Sequence, residues 1–361
     1  MIRYQSIPAS ELTAEHIQAW SRLQRADPRF DSPYFRPEFT LAVASVRSTS
    51  EVIVLEQDDQ PMGFLPYDRS PRNVARPVAP DMTDFQGVIV RHDFGWDAEA
   101  MLRGCGLAAL YFDHLIATQE ELRPYHWLEE PSPSMDLGGG FEAYLQRRAE
   151  LGSHRVKTVL RKARKLEREV GPLRLEPLST DRSILRTLIA WKTAQYYRTK
   201  TRNVFAQPWT VALLERLLEE RSEALTGMLS VLYAGDSVAS IHMGMMSHGV
   251  LHYWFPAYNV QLHRYSPGLI QLIRTAQEAE ALGIRRIDLG RGPEAYKESL
   301  MTGATNVAEA AVDLRPLVRP ARRFWFRTKN YVRHSRWQTP ARLVVRNLRA
   351  LARWAQPRIS K

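Results

Sequence analysis

The stretch MLSVLYAGDSVASIHMGMMSHGVLHYWFPAYNVQLHRYSPGLIQLI, residues 228–273, decides the fold. It contains three long apolar runs that are separated by two tight turns, AGD at 234–236 and SHG at 247–249. Apolar runs joined by short glycine-containing turns are typical of neighbouring antiparallel strands. The third run leads into a helical pattern with Ser266 as a natural N-cap and Pro267 at the first helical position. The sequence therefore predicts a three-stranded meander that leads directly into a helix.

The elements around this stretch complete the prediction. The helix is expected to end at Gly283, because glycine is favoured just past a helix C-terminus. From residue 181 onward the predicted order is helix, helix, three antiparallel strands, helix, strand, helix, strand, with the last two strands at IRRIDL (284–289) and VAEAAVDL (307–314). This order predicts an α+β fold with a mixed sheet and a central helix, which the chain enters directly from the longest strand.

The first third of the chain mixes helical and extended patterns. ELTAEHIQAWSRLQ (11–24) predicts an amphipathic helix, and EVIVLEQDDQPMGFLPY (51–67) predicts a hairpin. LEEPSPSMDLGGG (128–140) is the best candidate for a domain boundary, because Pro, Ser and Gly interrupt regular structure. We therefore expect an N-terminal lobe at 1–135, a C-terminal lobe at 136–314 and a tail at 315–361.

Composition limits the class of protein. The 361-residue chain has 44% hydrophobic and 10% aromatic residues, which are typical globular values. The single cysteine, Cys105, excludes an intrachain disulfide and a cysteine-based zinc site. The formal net charge is +11, yet residues 315–361 hold fourteen Lys and Arg and no acid, which leaves −3 for residues 1–314. No signal region or run of about 18–20 apolar residues is present, so a cytoplasmic location is expected.

The start of the predicted helix at Ser266 is a candidate anion site. A helix N-terminus presents unpaired N–H groups and a partial positive charge, which favour phosphate. His263 and Arg264 precede it, and Gly268 allows close approach. The pattern fits a pyrophosphate, although an ordinary capped helix has the same pattern.

The decapeptide DLGRGPEAYK (288–297) is a second candidate. It lacks the three glycines of a dinucleotide-binding fingerprint. Asp288 stands at the end of a predicted strand, where sheets of α/β type usually place functional groups. Tyr296 can exchange a proton and Lys297 can hold an anion. The alternative is that the glycines turn the chain out of a buried strand and that Asp288 caps this turn.

The histidines at positions 242, 248 and 252 do not predict a metal site. His248 lies in a predicted turn, and His242 and His252 lie on neighbouring strands without matched carboxylates. Histidines on strands are more often packed and hydrogen-bonded in the core. No metal cofactor is expected.

Four segments in this order carry a family resemblance: WKTAQYYRTKTRNVFAQPW (191–209), LYAGDSVASIHMGM (232–245), LHYWFPAYNVQLHRYSPGLIQLI (251–273) and IDLGRGPEAYKESL (287–300). The set resembles the two-lobed GNAT-superfamily acyltransferases of cellulose and exopolysaccharide biosynthesis (CelD/BcsL type), which have a BioF2-like acetyltransferase domain. It is more distantly similar to the Fem-type aminoacyl transferases. The resemblance covers about residues 10–315 and is strongest at 140–312.

The resemblance implies a two-lobed GNAT-like fold with a degenerate N-terminal lobe and an acyl-CoA donor, expected to be acetyl-CoA. The superfamily places its pyrophosphate loop between the fourth strand and the central helix, which is residues 263–268 here. HRYSPG stands in place of the usual Q/R-x-x-G-x-G/A signature. The expected donor-binding residues are Tyr258, His263, Arg264, Tyr265, Ser266 and Gly268.

The chemistry implied by the resemblance is acyl transfer to an amine or a hydroxyl of a sugar or sugar-derived acceptor. Backbone N–H groups of the strand at 251–258 are expected to polarise the thioester carbonyl. Asp288 is the candidate for orienting or deprotonating the acceptor, and Tyr296 for protonating the leaving thiolate. Lys297 is expected to support one of these groups or a CoA phosphate.

Two other classes of function compete with this one. A Fem-type transferase would use aminoacyl-tRNA, which the basic helix at 155–168 would bind; a solvated helix face has the same pattern, and nucleic acid is not the expected partner. A catalytically degenerate binding module in a polysaccharide assembly is the other class. Tight binding of acetyl-CoA would count against the degenerate binding module and favour the acyl-CoA-dependent acyltransferase.

The tail supports a separate hypothesis about location. ARLVVRNLRALARW (341–354) places arginines on one helical face and aliphatic residues on the other. Such a helix can lie on an anionic membrane surface, which predicts a peripheral position on the inner face of the plasma membrane. The same apolar face can instead pack on the body of the protein.

Overall fold

A computed structural model describes residues 2–316 and Val318. Within these residues lie thirteen strands: β1 Arg3–Pro8, β2 Ser50–Gln57, β3 Gln60–Ser70, β4 Val74–Pro77, β5 Ile89–Val90, β6 Ala109–Ile116, β7 His126–Asp136, β8 Leu173–Glu176, β9 Thr226–Ala234, β10 Ser237–Ser247, β11 Val250–Tyr258, β12 Arg286–Asp288 and β13 Gly303–Asp313. They form one sheet in the order β1-β2-β3-β4-β6-β13-β7-β12-β11-β10-β9-β8, and β5 pairs with β3. The sheet is mixed, because β4 with β6 and β11 with β12 are parallel.

The α-helices of the same residues are α1 Ala14–Ala26, α2 Pro37–Val46, α3 Ala98–Gly104, α4 Gly140–Glu150, α5 Arg155–Glu169, α6 Arg182–Thr199, α7 Pro208–Glu219, α8 Pro267–Gln277 and α9 Ala295–Leu300. The predicted α+β order from residue 181 onward is confirmed: α6, α7, β9, β10, β11, α8, β12, α9, β13. The helix and the hairpin predicted in the first third are confirmed as α1 and as β2 with β3. No helix in this described part of the chain has the length and hydropathy needed to cross a membrane.

The meander forms because its turns satisfy local backbone requirements. Gly235 and Gly249 have φ angles of 58° and 81° at the two turns, a conformation that glycine adopts without steric cost. The strands that they join are long and largely buried, since both faces of the sheet are covered. The chain leaves β11 through one 3₁₀ turn and enters α8 at once.

Two expectations about this region were wrong. The helix α8 ends at Gln277, six residues before Gly283. Residues 278–283 form turns, and Gly283, with a φ of 67°, is the last of them before the chain leads into β12. Ser266 also does not cap α8 through its side chain, because it adopts a left-handed conformation with φ 59°. Gly283 thus belongs to the loop after α8. Ser266 does stand at the predicted N-cap position with Pro267 as the first helical residue, but its backbone carbonyl, not its side chain, makes the first helical hydrogen bonds, which it accepts from the N–H groups of Leu269 and Ile270.

The stretch that was the candidate domain boundary, residues 128–140, is mostly strand. β7 covers His126–Asp136, pairs with β13 along most of its length and buries Ser132 and Ser134. Its prolines, Pro131 and Pro133, are tolerated because β12 is only three residues long and pairs with β7 at 134–136 alone. Composition predicted an interruption here, but long-range pairing made these residues a strand.

The two halves of the chain share one sheet. β13 lies between β6 and β7, so the last described strand joins the N-terminal and C-terminal parts. One apolar cluster contains Trp20 and Phe39 of the first half together with Leu188 and Leu214 of the second. A second cluster, which packs α5 and α8 on the sheet, belongs to the C-terminal half. The lobe boundaries at 135/136 and 314/315 stay a prediction.

Candidate active site

The sheet opens between β11 and β12. The two strands pair in parallel only where Val250–His252 lies beside Arg286–Asp288, and β12 ends there. From Tyr253 onward, β11 therefore has no strand partner on that side. A cleft of about 280 Å³ occupies the opening. It is lined by Lys192, Gln195, Tyr253, Pro256, Tyr258, His263, Ser266, Gly268, Leu269, Leu272, Glu294 and Tyr296.

A β-bulge shapes the wall of this cleft. Met243 pairs with Phe255 and Met245 with His252, so Tyr253 and Trp254 together lie opposite Gly244. Bulges of this kind redirect side chains and are frequent beside active sites. Gly244 is required at this point, because an added Cβ would lie 2.4 Å from the His252 carbonyl oxygen.

The Tyr253 side chain occupies the floor of the cleft. Its ring stacks on His242 with 3.7 Å between the ring centres. Its hydroxyl has no hydrogen-bond partner among the described residues, although it is buried. Burial and the nearby Tyr296 hold the pKa of Tyr253 well above its ordinary value. A buried hydroxyl donor is therefore available to a molecule bound in the cleft.

The N-terminus of α8 forms one end of the cleft. The Lys162 ammonium on α5 donates a hydrogen bond of 2.8 Å to the Ser266 hydroxyl. At Gly268 an added Cβ would make only ordinary contacts, with the nearest atoms 3.8 Å away. A lysine beside the positive end of a helix makes this end attractive to an anion. The sequence reasoning missed Lys162 because α5 is far away along the chain.

The predicted donor-binding residues divide into two groups. Tyr258, His263, Ser266 and Gly268 line the cleft together. Tyr265 is buried, and its hydroxyl donates a 2.6 Å hydrogen bond to Glu169 on α5.

The remaining predicted donor residue, Arg264, lies outside the cleft lining. It contacts Glu169 and the Tyr265 hydroxyl and is largely exposed. Tyr265 and Arg264 thus both help to hold α5 against the loop that precedes α8.

The three predicted catalytic residues of the decapeptide do not all lie in the cleft lining. Tyr296 lines the cleft, and burial together with the nearby Glu294 raises its pKa. Asp288 is 1% exposed and accepts a hydrogen bond of 2.8 Å from Arg286, which also pairs with Asp31. Burial raises the pKa of Asp288 despite that ion pair. Asp288 thus lies outside the cleft lining and acts as the partner of a partly buried arginine.

Lys297 is held by its own loop. Its ammonium donates to the Gly290 carbonyl at 3.0 Å and lies 3.1 Å from the Glu294 carboxylate. These contacts fix the loop between β12 and α9. Tyr296 is the only one of the three predicted catalytic residues found in the cleft lining.

Lys192 is a cleft residue that the sequence reasoning missed. It lies on α6, its ammonium donates a 3.3 Å hydrogen bond to Gln195, and burial lowers its pKa to about 8. The signal was present: Lys192 follows Leu185 and Leu188 at helical spacing on the apolar face of α6. A lysine on such a face is a candidate for a functional group.

The histidines at 242, 248 and 252 lie in different surroundings. His242 stacks on Tyr253, His248 is in the turn before β11, and His252 donates to Asp84 at 3.0 Å. Within the described residues no group of three or more His, Cys, Asp or Glu side chains is arranged to hold a metal ion.

The cleft thus lies where two parallel strands part, beside the N-terminus of α8. In a comparison with known families, residues 153–298 match the acetyltransferase (GNAT) domain. No curated protein sequence matches the chain. The chain is therefore an acyltransferase with a GNAT-type domain, while the narrower likeness to the exopolysaccharide family stays a hypothesis.

Solved structures support the fold over nearly the whole chain. The structure of FemX is similar with a TM-score of 0.58 and 11% identity, covering 87% of this chain and 99% of FemX. The C-terminal domain of a protein from Agrobacterium fabrum, assigned as a lysylphosphatidylglycerol synthetase, gives a TM-score of 0.54 and 12% identity. It covers 88% of this chain and 96% of that domain. These likenesses concern the fold alone.

A GNAT-type domain takes its acyl group from an acyl-CoA in general, and the cleft fits such a donor. Lys162 and the start of α8 suit a phosphate group of the donor. The edge of β11 that pairs with no strand suits the amide groups of the donor, which can form hydrogen bonds with its backbone. The unpartnered Tyr253 hydroxyl provides a donor deeper in the cleft.

Proposed function

We propose that this protein transfers an acyl group, acetyl in the first instance, from an acyl-CoA to an amine or hydroxyl of a sugar or sugar-derived acceptor. The observation that carries the proposal is the cleft at the β11–β12 opening, which ends at the N-terminus of α8 and at Lys162. The sugar acceptor and a role in exopolysaccharide or cellulose biosynthesis rest on the sequence resemblance.

The roles of the chain's residues follow from their positions. His263, Ser266, Gly268 and Lys162 bind the donor phosphates at the start of α8, and Tyr258 packs beside them. When bound, the donor supplies an activated thioester carbonyl. Backbone N–H groups on the open edge of β11 polarise that carbonyl, since no strand there competes for them.

Proton transfer is assigned to two side chains of the cleft. Lys192, with a pKa of about 8, is partly neutral near physiological pH and accepts a proton from the acceptor. The Tyr296 hydroxyl, whose pKa is raised, stays protonated and donates to the leaving sulfur. Asp288 and Lys297 position this machinery by fixing Arg286 and the loop before α9.

A substitution at Gly268 tests the donor site. Gly268→Ala adds a methyl group in ordinary contact, so acetyl-CoA affinity measured by calorimetry should stay within about threefold of the wild type. Gly268→Glu places a carboxylate where the phosphates are expected, and the affinity should fall at least tenfold. Equal affinity in both variants would place the donor elsewhere and refute the proposal.

Transfer from aminoacyl-tRNA is a second candidate, favoured by the exposed basic face of α5. Arg155, Lys157, Arg161 and Arg164 are all exposed there. The fold likeness to FemX is compatible with it. Transfer RNA that binds with strong salt dependence and competes with acetyl-CoA would support this alternative. Acetyl-CoA turnover that is unaffected by transfer RNA would exclude it.

A further inference from the structure

A second cavity lies at the opposite end of β11 from the cleft described above. It has a volume of about 640 Å³ and is formed where α1 ends, at the turn between β10 and β11, and where β12 begins. Val250, the first residue of β11, lines this second cavity, whereas the cleft begins at Tyr253 and extends to Tyr258. The two linings share no residue. The second cavity is therefore a separate site, which both halves of the chain build together.

The carboxylates that line the second cavity are already engaged within the protein. Each of them has an arginine nitrogen within 3.4 Å, and the pairs are Asp27 with Arg29, Asp31 with Arg286 and Asp136 with Arg147. Asp31 accepts two hydrogen bonds of 2.6 Å from Arg286. Asp136 also accepts a hydrogen bond of 2.9 Å from the backbone N–H of Gly138. The negative charge of this lining is thus compensated by arginines of the chain itself.

Two arginines of the same lining have no such partner. Arg25 lies in the last turn of α1, and Arg285 directly precedes β12; both side chains are exposed. Neither forms an ion pair with an Asp or Glu side chain anywhere in the described part of the chain. Because the neighbouring acids are engaged elsewhere, these two guanidinium groups give the second cavity an uncompensated positive charge.

The Arg285 side chain is held in place by the turn between β10 and β11. One of its terminal nitrogens donates a hydrogen bond of 2.8 Å to the backbone carbonyl of His248. An added Cβ on Gly249 would lie 2.8 Å from Nε of Arg285, so the arginine lies across this glycine. A guanidinium has five N–H donors, and one that is already fixed loses less conformational entropy when a ligand binds. Arg285 is therefore a preorganised donor.

The imidazole of His248 adds a third polar group to the lining. Nη1 of the buried Arg36 lies 3.4 Å from Nε2 of His248. Because arginine only donates, Nε2 accepts this hydrogen bond, and the proton of the neutral ring is on Nδ1. Burial lowers the pKa of His248, and the charges of Arg36 and Arg25 lower it further. Glu223 and Glu38 act in the opposite direction. His248 is thus a neutral N–H donor beside positive charges.

The chemistry of this lining defines the ligand class. Cavities that bind small molecules have volumes of about 300–1,000 Å³, and the second cavity falls within this range. The planar fork of a guanidinium matches the paired oxygens of a carboxylate or a phosphate. Two guanidinium groups without acidic partners match two negative charges. A ligand with one charge would leave one of the arginines uncompensated.

We propose that the second cavity binds a small organic dianion, with carboxylate or phosphate oxygens, between Arg25, Arg285 and His248. This ligand is additional to the acyl donor and the acceptor, and its site lies outside the cleft that the proposed function uses. The ligand contacts α1 from the first half of the chain and the start of β12 from the second half.

Matched probes and matched variants test this site by calorimetry on the full-length protein. The probes are succinate against succinamate, in which an amide replaces one carboxylate, and glycerol phosphate against glycerol. The wild type should bind at least one dianion at least tenfold more tightly than its matched probe. Arg25→Gln and Arg285→Gln should each weaken that binding at least fivefold. The control Arg186→Gln removes an exposed arginine of α6 outside both cavities and should leave the affinity unchanged.

The variants carry the test because residues 315–361 hold fourteen Lys and Arg and can also attract anions. A second variant guards against a folding defect. His248 has a φ of 47°, which asparagine tolerates, so His248→Asn should keep the wild-type melting temperature and still weaken binding. In the wild type, the bound dianion should raise the pKa of His248 in an NMR titration, since it brings negative charge to the ring.

Several results would overturn the proposal. They are equal affinities for the matched probes, an unchanged affinity in the Arg25, Arg285 and His248 variants, or an equal loss of affinity in the Arg186→Gln control. Displacement of the dianion by acetyl-CoA would place its binding in the cleft and would also refute the second site. If the proposal holds, the preference between succinate and glycerol phosphate shows whether the natural ligand carries carboxylate or phosphate oxygens.

Discussion

Lys192 on α6 offers the sharpest test of how stability and function are coupled at this site. Its charged form is disfavoured by burial, which lowers its pKa from 10.5 to about 8. That difference in pKa corresponds to at most about 3 kcal/mol of destabilisation of the folded protein when the lysine is charged in both the folded and the unfolded state. Because the side chain is partly exposed, solvent screening reduces the expected value to about 1–2 kcal/mol.

Replacing Lys192 by methionine, which keeps the length and removes the charge, should therefore stabilise the protein. The sign follows from proton linkage: the pKa is lowered on folding, so the charged lysine costs stability fully below pH 8. The cost fades as the pH rises from 8 to 10.5. We expect the free energy of unfolding of Lys192→Met to exceed that of the wild type by about 1–2 kcal/mol at pH 7, and by clearly less at pH 9.5.

The same change should impair catalysis. Removal of a proton acceptor typically lowers turnover by about 10²–10⁴-fold. Wild-type turnover should rise between pH 7 and 9 as Lys192 loses its proton, and this rise should be absent from any residual activity of the variant.

Denaturant unfolding at the two pH values and steady-state release of free thiol measure these effects. Lys157→Met, at an exposed position of α5, is the control and should change stability by less than about 0.5 kcal/mol. A Lys192→Met protein that is less stable than the wild type at pH 7, or that keeps full turnover, would refute the reasoning.

Three further predictions concern other parts of the chain. Gly244→Ala should destabilise the protein by about 3 kcal/mol in thermal unfolding, since its Cβ would meet the His252 carbonyl at 2.4 Å, whereas Gly268→Ala should be tolerated. Tyr296→Phe should lower thiol release while acetyl-CoA binding by calorimetry stays unchanged; full activity would mean that another group protonates the sulfur. The amphipathic helix predicted in the tail lies outside the described residues, so a chain ending at Leu314 should lose flotation with anionic vesicles if the membrane hypothesis holds. Equal flotation of both proteins would reject it.

Several features of this protein could be predicted from local sequence. Turn glycines and apolar periodicity were sufficient for β9, β10 and β11, because a tight turn and an alternating strand depend on neighbouring residues. The order of elements then placed the start of α8 directly after β11. For this reason the predicted donor residues Tyr258, His263, Ser266 and Gly268 do meet in one cleft.

Local sequence was misleading where distant pairing overrides composition. Residues 126–136 contain prolines and serines that are typical of a boundary between domains, yet pairing with β13 makes them a strand whose residues 132–135 are buried. Asp288 stands at a strand end as predicted, but it pairs with Arg286, which also pairs with Asp31. Arg286 belongs to the same strand as Asp288, whereas Asp31 comes from a distant part of the chain, and its contact with Arg286 could not be predicted from local sequence.

Only the tertiary structure places Lys162 beside Ser266, Asp84 beside His252 and Lys192 in the cleft lining. Asp84 and His252 are 168 positions apart, and Lys162 and Ser266 are 104 apart. No periodicity or spacing encodes such contacts, because they form when helices and loops pack on opposite sides of one sheet. Burial then sets the charge of each group, and a lysine with a pKa near 8 exists only inside that packing.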